Sequence, residues 1–481
     1  MLAFETCYEA LCARDARFDG LFFVGVKTTG IYCRSICAAR TPRESSCRFF
    51  ENAAAAERDG FRPCLRCRPE LAPGTDVAVP ERSLAHAIGT RLQATALEAA
   101  SVQDLARQVG FSDRQLRRII RGAFGVTPIE LVQTQRLLFA KKLLHETTLP
   151  VAAIALHAGF RSLRRFNALF LARYGLAPTR LRRNAAGAVS AGPMRLRLAY
   201  RPPLAWTEML GYFSARAIPG VEAVVDGHYL RTLEIGAQPA WLRVSQAMEE
   251  DALIVEFAPE MASHLYPALQ RLRAVFDLDA NPARIAERFA ADKTLRALVK
   301  KTPGLRVPGA WDAFEIATRA VLGQQVSVAG ATTLSGRLVA RFGTPLATPW
   351  PRLTHTFPKS EMLAKADVDS IAALGLPRRR AETIREVARA AASGALAFPP
   401  GTSGEKAVAQ LKELPGVGEW TAQYLAMRLL RNPDAFPAGD LGLRKAAGRG
   451  APITEAALLH RAERWRPWRA YAAVHLWHSL I

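Results

Sequence analysis

From about Ser83 to Arg183 apolar residues recur every three or four positions, the spacing of amphipathic helices. Two segments in this span share a plan. In SVQDLARQVGFSDRQLRRIIRGAFG, Ser101 caps a helix, Gly110 turns the chain, and Ser112 begins a second helix bearing Arg114, Arg117, Arg118 and Arg121. In LPVAAIALHAGFRSLRRFNALFLARYG the helix begins at Val151, Gly159 is the turn, and Arg161, Arg164 and Arg165 lie on the following helix. A long helix from about Pro128 to Leu144 joins the two, so they could read successive turns of a major groove.

Elsewhere the period changes. LFFVGVKTTGIYCRSIC reads as a strand entering a turn, and MRLRLAYR, YLRTLEI, WLRVS and ALIVEF alternate as strands do, between two helical stretches, WTEMLGYFSARA and YPALQRLRAVFDL. A small antiparallel sheet with helices on one face is expected there, and helices again from Asn281 onward. Near the end, LKELPGVGEWTAQYLAMRLLRNPDAFPAGDLGLRK reads as helix, tight turn, helix, and a loop delivering Asp440. Gly416 and Gly418 flank Val417 in the turn, where a missing Cβ permits φ > 0 and a close foreign backbone. The N–H groups of the second helix then point at a docking phosphate. PELAPGTDVAVPERS and RNAAGAVSAGP, rich in proline and small residues, are expected to be linkers.

Charge sharpens this picture. The 481 residues hold 65 Lys and Arg against 43 Asp and Glu, a net +22, and half of that surplus lies between 101 and 190. Such a field implies a polyanionic partner, and the Ser112, Arg114, Gln115 and Arg118 set, with Arg161, Ser162, Arg164 and Arg165, supplies candidate DNA contacts. No apolar run approaches bilayer length and no signal-like segment opens the chain, so no membrane role and a cytoplasmic location are expected. All seven cysteines fall within the first 67 residues. Cys33 and Cys37, then Cys64 and Cys67, form two close pairs at the spacing by which four thiolates reach one tetrahedral Zn²⁺. Cys7, Cys12 and Cys47 lack partners at ligand spacing and are expected to be ordinary semi-buried thiols.

The words around these positions resemble known families. TTGIYCRSICAAR and RFFENAAAAERDGFRPCLRCRPE look like the zinc domain of the Ada-type DNA alkylation-repair regulators. That resemblance implies that Cys33 accepts a methyl group from a DNA methylphosphotriester while bound to zinc, with Cys37, Cys64 and Cys67 as the other ligands. The paired helix-turn-helix units resemble the AraC-type regulators, which follow the zinc domain in Ada-type proteins. From about Met194 onward, QQVSVAGATTLSGRL, the LPGVG hairpin, Asp440 and AERWRPWRAYAAVHLWHS resemble the AlkA-type 3-methyladenine DNA glycosylases of the helix-hairpin-helix class. This implies Asp440 as the carboxylate that steadies an oxocarbenium-like transition state, and Tyr212, Trp420, Tyr424 and Trp477 as the aromatic base pocket. It also places Gln325 as the side chain that fills the gap left by a flipped nucleotide, and a monovalent cation between hairpin carbonyls and a DNA phosphate.

Three departures qualify the resemblance. Leu441 follows the aspartate where the family can carry tyrosine, Gln325 stands where the compared bacterial enzyme has an apolar residue, and Trp420 occupies the place of the Schiff-base lysine of bifunctional members. Iron–sulfur cysteines are missing near the C-terminus, and no cysteine follows Cys67 to serve a second methyltransferase. The expected architecture is multidomain and mainly α: a small zinc α+β domain (1–75), an all-α double helix-turn-helix domain (83–185), a small antiparallel α+β subdomain (193–280) and an all-α helix-hairpin-helix glycosylase domain (281–481). The expected function is a monofunctional glycosylase fused to a methyl-sensing activator. Its partners are alkylated and promoter double-stranded DNA and RNA polymerase, and it acts as a monomer. The competing reading is a DNA-binding regulator with structural zinc and a non-catalytic, damage-sensing C-terminal region.

Overall fold

The computed structural model describes residues 2–74, 84–97, 101–185, 193–236, 238–448 and 450–480. Most of the two expected linkers, 75–83 and 186–192, lies outside the described residues. The chain divides into two compact units, one built from 1–202, 247–270 and 399–401, the other from 203–246, 271–398 and 402–481. The stretch 193–280 therefore contributes to both units.

The first unit begins with a four-stranded sheet in the order Cys47–Phe50, Phe23–Val26, Ile31–Arg34, Arg62–Pro63. Phe23–Val26 pairs antiparallel with both neighbours, and Val24 lies opposite Cys33. Phe22, Val24 and Phe49 pack with Cys7 and Leu11 beneath the cysteine pairs. Cys7 and Cys47 are fully buried there and Cys12 is exposed, so the three are not alike in the way their isolation in sequence suggests. Helix Pro128–Glu146 runs through the all-α part and is buried on most sides, because both helix-turn-helix units and the zinc domain cover it. Thr127 and Glu130 close a capping box at its start. A two-stranded antiparallel ladder, Met194–Ala199 with Ala252–Phe257, also belongs to this unit.

The helix-turn-helix boundaries fall where the caps predict. Ser101 caps Val102–Val109, Gly110 ends it at φ 77°, and Ser112 caps Asp113–Phe124. In the second copy, Val151–His157 is followed by Gly159 at φ 78° and by Leu163–Tyr174, capped by Ser162.

The second unit carries three antiparallel strands, Glu222–Val225, His228–Ile235 and Gln238–Gln246. The short first strand was not legible from alternation, because Glu222 is buried in an ion-pair cluster with Arg231, Arg319 and Glu315. Helix Trp206–Arg216 and the all-α remainder complete the unit, including the hairpin Gly404–Lys412 and Glu419–Arg428 and the C-terminal helix Arg469–His478.

Candidate functional site

Asp440 is the N-cap of helix Leu441–Ala447, and its Oδ1 accepts from Leu443 N–H at 2.9 Å. A cap alone needs no more. Here two indoles also aim at the carboxylate: Trp477 Nε1–H donates to Oδ1 at 2.9 Å and Trp420 Nε1–H to Oδ2 at 3.1 Å. The fold thus brings together the second hairpin helix, the loop after it and the C-terminal helix at one half-buried negative group. Three neutral donors fix its direction without cancelling its charge, which suits a group meant to meet a developing cation.

The other two predicted aromatics form a second group. Tyr212 comes from helix Trp206–Arg216, and its hydroxyl lies 3.5 Å from that of Tyr424. Arg428 Nη1 donates to both hydroxyls, at 2.6 Å to Tyr424. Trp420 and Tyr424, four residues apart on one helix, stack at 5.3 Å and 7°. Burial would raise the Tyr212 phenol, but the charges of Arg428 and Arg216 outweigh it and hold it at about 8. For Tyr424 burial prevails and pushes the phenol up to about 12. Leu441 is 53% exposed and closes no pocket wall.

The hairpin turn treats its two glycines differently. Gly416 adopts φ 79°, and a Cβ there would lie 2.3 Å from Thr383 Oγ1. Gly418 does not take the left-handed conformation expected of it; at φ −90° and ψ −178° it is extended backbone, with nothing within 4 Å of an added Cβ. It is the N-cap of Glu419–Arg428 and caps nothing with a side chain, so the first N–H groups of that helix stay open to an anion. Gln324, unnoticed in the sequence, donates to the Gly416 carbonyl at 3.0 Å and Thr421 Oγ1 at 3.2 Å, tying the neighbouring loop to the turn. On that loop Gln325 is exposed at φ 58°, a strained position for a non-glycine, and Val326 and Val328 beside it are exposed too.

In the first unit the sulfurs of Cys33, Cys37, Cys64 and Cys67 all lie within 4.8 Å of one another. A tetrahedral Zn²⁺ with bonds of about 2.3 Å sets its sulfurs roughly 3.8 Å apart, so the donor set and its spacing fit one ion. Hydrogen bonds to Cys37 and Cys64 push the Cys33 thiol up, and those to Cys33 and Cys37 pull Cys64 down; a dication resolves that competition by holding all four deprotonated. Backbone N–H groups of Arg34 and Arg66 each donate to a sulfur at 3.3 Å, of Cys67 and Cys64 respectively.

Behind the cluster lies a buried network that sequence reading missed. Lys141, on the long helix, donates to the Cys64 carbonyl at 3.2 Å and pairs with Glu70. Arg68 bridges Glu70 at 2.9 Å and Glu146 at 2.5 Å. Burial would raise the Glu70 carboxyl, but Lys141 and Arg68 hold it down at about 2. Charged residues at apolar positions of a helix, as in LLFAKKLLHE, are the signal that could have pointed here.

The candidate DNA contacts of the helix-turn-helix units are exposed, but not all are free. Ser112 and Gln115 form a capping box, with Gln115 Oε1 accepting from Ser112 N–H at 3.1 Å, and Ser162 caps its own helix through Arg165 N–H at 3.3 Å. Arg114, Arg118, Arg161, Arg164 and Arg165 are exposed on the surface.

The chain matches four family models in order: the metal-binding domain of Ada (residues 6–70), a helix-turn-helix domain (105–184), the AlkA N-terminal domain (195–312) and the HhH-GPD superfamily of base excision DNA repair proteins (318–470). It is 42% identical, over 99% of its own length and 96% of the other's, to a Mycobacterium tuberculosis protein described as a probable bifunctional transcriptional activator/DNA repair enzyme AlkA. The Escherichia coli DNA-3-methyladenine glycosylase 2 is 35% identical over 59% of this chain and 96% of that protein. In fold it is similar to the 3-methyladenine DNA glycosylase of Archaeoglobus fulgidus, with TM-score 0.51 and 24% identity over 59% of this chain and 97% of that one.

Proposed function

The chain belongs to the family of bifunctional transcriptional activator/DNA repair AlkA proteins, and from that premise we propose that it hydrolyses the N-glycosyl bond of alkylated bases, of the 3-methyladenine and 7-methylguanine type, and that it also transfers a methyl group from a DNA methylphosphotriester to Cys33, a transfer coupled to transcription activation. The observation that carries the repair half is the Asp440 carboxylate held between Trp420 and Trp477. An alkylated purine carries positive charge and leaves readily, so little general-acid help is needed. The hairpin N–H groups hold a phosphate, Gln325 fills the vacated stack, and the base rests against indole. As the C1′–N bond breaks, its electron pair leaves with the base and the sugar becomes cationic; Asp440 stabilises that cation or orients the water that adds to C1′. An amine for Schiff-base formation is replaced here by Trp420, so the product is an intact strand with an abasic site.

Domain boundaries at 1–75, 83–185, 193–280 and 281–481 divide the work. Bound zinc keeps the cluster's sulfurs deprotonated and nucleophilic at neutral pH. Cys33 Sγ then attacks the methyl carbon of a phosphotriester: an S–C bond forms, the C–O bond breaks, and the electron pair stays on phosphate as an ordinary diester. Methylation removes one negative charge from the cluster. At roughly 5 Å from a phosphate and an effective dielectric of about 20 this relieves about 3 kcal/mol of repulsion, on the order of a hundredfold in DNA affinity. The arginines at 114, 118, 161, 164 and 165 then hold promoter DNA, and RNA polymerase is engaged by a monomeric chain. A monovalent cation at the hairpin would share carbonyls already in use, since Leu414 O accepts from Val417 N–H and Gly416 O from Gln324. Potassium dependence of DNA affinity tests it.

Incubation with methylated duplex decides the main reading. Chromatography should find freed 3-methyladenine and 7-methylguanine, lost in Asp440→Asn, and mass analysis one added methyl, lost in Cys33→Ser. No freed base from the wild-type chain would leave only a DNA-binding regulator, and freed base at undiminished rate from Asp440→Asn would assign the catalysis to some other group.

A further inference from the structure

Arg428 is buried with no counter-charge paired to it among the described residues. It is 6% exposed, and its partners among the described residues are neutral groups: the Tyr212 and Tyr424 hydroxyls and the Gly309 carbonyl at 2.9 Å, with Nε unpartnered there. The neighbouring arginines, buried Arg231 and partly buried Arg319 and Arg431, are treated otherwise. Arg231 and Arg319 each pair with Glu222 and Glu315, and Arg431 with Asp277. An uncompensated buried cation costs stability, and such groups collect where a site uses the charge.

Its placement says what it faces. Trp420, Tyr424 and Arg428 follow one another at four-residue steps on one face of helix Glu419–Arg428. The guanidinium lies 5.3 Å from the Tyr424 ring centroid, on a ring that already stacks with Trp420, and 5.1 Å from the Tyr212 centroid. Tyr212 also carries Arg216 at 4.1 Å. A cationic base gains from an aromatic ring by meeting its electron-rich face. On both tyrosines that attraction is already engaged by the chain's own cations, which leaves the two indoles that hold Asp440 as the faces for a base.

We propose that Arg428 is a specificity-determining residue of the base pocket, a fixed positive charge that weakens the hold on cationic bases relative to neutral bases of the same shape. This rests on the glycosylase reading above. The pocket thus sets two opposed charges on its ligand: Asp440 at the sugar, where charge develops during the reaction, and Arg428 at the base, where an alkylated purine is charged from the outset. A base already cationic is attracted less in the ground state, so the carboxylate's stabilisation is concentrated on the transition state. A charge roughly 10 Å from a stacked base, at an effective dielectric of about 20, corresponds to on the order of tenfold in affinity.

The test compares binding of two uncleavable duplexes to the zinc-loaded full chain by fluorescence anisotropy. One carries 2′-fluoro-7-methylguanine, which is cationic, and the other its neutral 2′-fluoro-7-methyl-7-deaza isostere. In Arg428→Gln the preference for the cationic duplex should rise about tenfold over wild type, and in Arg428→Lys it should stay at the wild-type ratio. Equal losses on both duplexes in Arg428→Gln would reduce Arg428 to a structural support and overturn the proposal. If Arg428→Gln melts out, Arg216→Gln at the half-buried rim should shift the ratio the same way by about threefold, and an unmoved ratio there overturns it equally. Wild-type release of 7-methylguanine from ordinary methylated duplex is measured alongside. Release without a ratio shift defeats the charge argument alone, whereas no release defeats the reading beneath it.

Discussion

Replacing Glu57 by glutamine should stabilise the first unit above pH 7 and leave it nearly unchanged near pH 5. Glu57 is 3% exposed; its Oε1 accepts from Tyr32 OH at 3.1 Å and its Oε2 from Thr134 Oγ1 at 2.8 Å. Burial pushes the carboxyl from 4.5 up to about 7, only partly offset by those two hydroxyls and by Arg173 and Lys141. The folded chain therefore keeps a proton that the unfolded chain releases. Stability is full below about pH 4.5, falls as pH rises, and is at its floor above about pH 7, a loss of about 3 kcal/mol at 1.36 kcal/mol per pH unit. Glutamine copies the shape and the donor capacity of the protonated acid, and both hydroxyl partners can rotate to suit it. Hydrogen exchange of helix Ala53–Arg58 and strand Ile31–Arg34 in the intact protein, corrected for intrinsic rates between pH 5 and 8, measures this. Wild type should lose protection with rising pH and Glu57→Gln should not. Parallel slopes for the two proteins would refute the reasoning. The joint matters because Tyr32 precedes Cys33 and Thr134 sits on the helix that links the two DNA-reading units.

The hairpin glycines should separate in their effects: Gly416→Ala meets both a left-handed backbone and Thr383 and should cost about 1–3 kcal/mol, read by thermal melting. Gly418→Ala, extended and unobstructed, should leave the melt unchanged and lower only DNA affinity, read by anisotropy. Gln325→Ala should lose affinity and base flipping, followed by 2-aminopurine fluorescence, more than it loses chemistry on a pre-extruded nucleotide; unchanged kinetics would reject the wedge role. Borohydride added during turnover should trap no protein–DNA adduct, and a trapped adduct would mean that some amine replaces the missing lysine.

Much of this molecule is written in short-range patterns. The Cys33, Cys37, Cys64 and Cys67 spacing needs only a hairpin and a turn to bring four sulfurs together, and the serines at 101, 112 and 162 end up as helix caps because capping is decided within three residues. The hairpin is legible for the same reason, whereas Asp440 was singled out by family resemblance and is, locally, a helix cap like the serines. What those serines and Gln115 are free to contact was not legible, since a side chain spent on its own backbone looks in sequence like one offered to DNA.

The sequence by itself determined most of the helical and alternating segments and each of the two close cysteine pairs, because each depends on residues a few positions apart. Only the tertiary structure decided that Trp420 and Trp477 both aim at Asp440, that Arg428 donates to two tyrosine hydroxyls, and that Lys141 and Thr134 join the long helix to the zinc domain. These pairings link residues up to 216 positions apart. The physical reason is that an indole N–H, a guanidinium or an ammonium must find an acceptor once burial strips away its water, and which acceptor is within 3 Å depends on how distant elements pack.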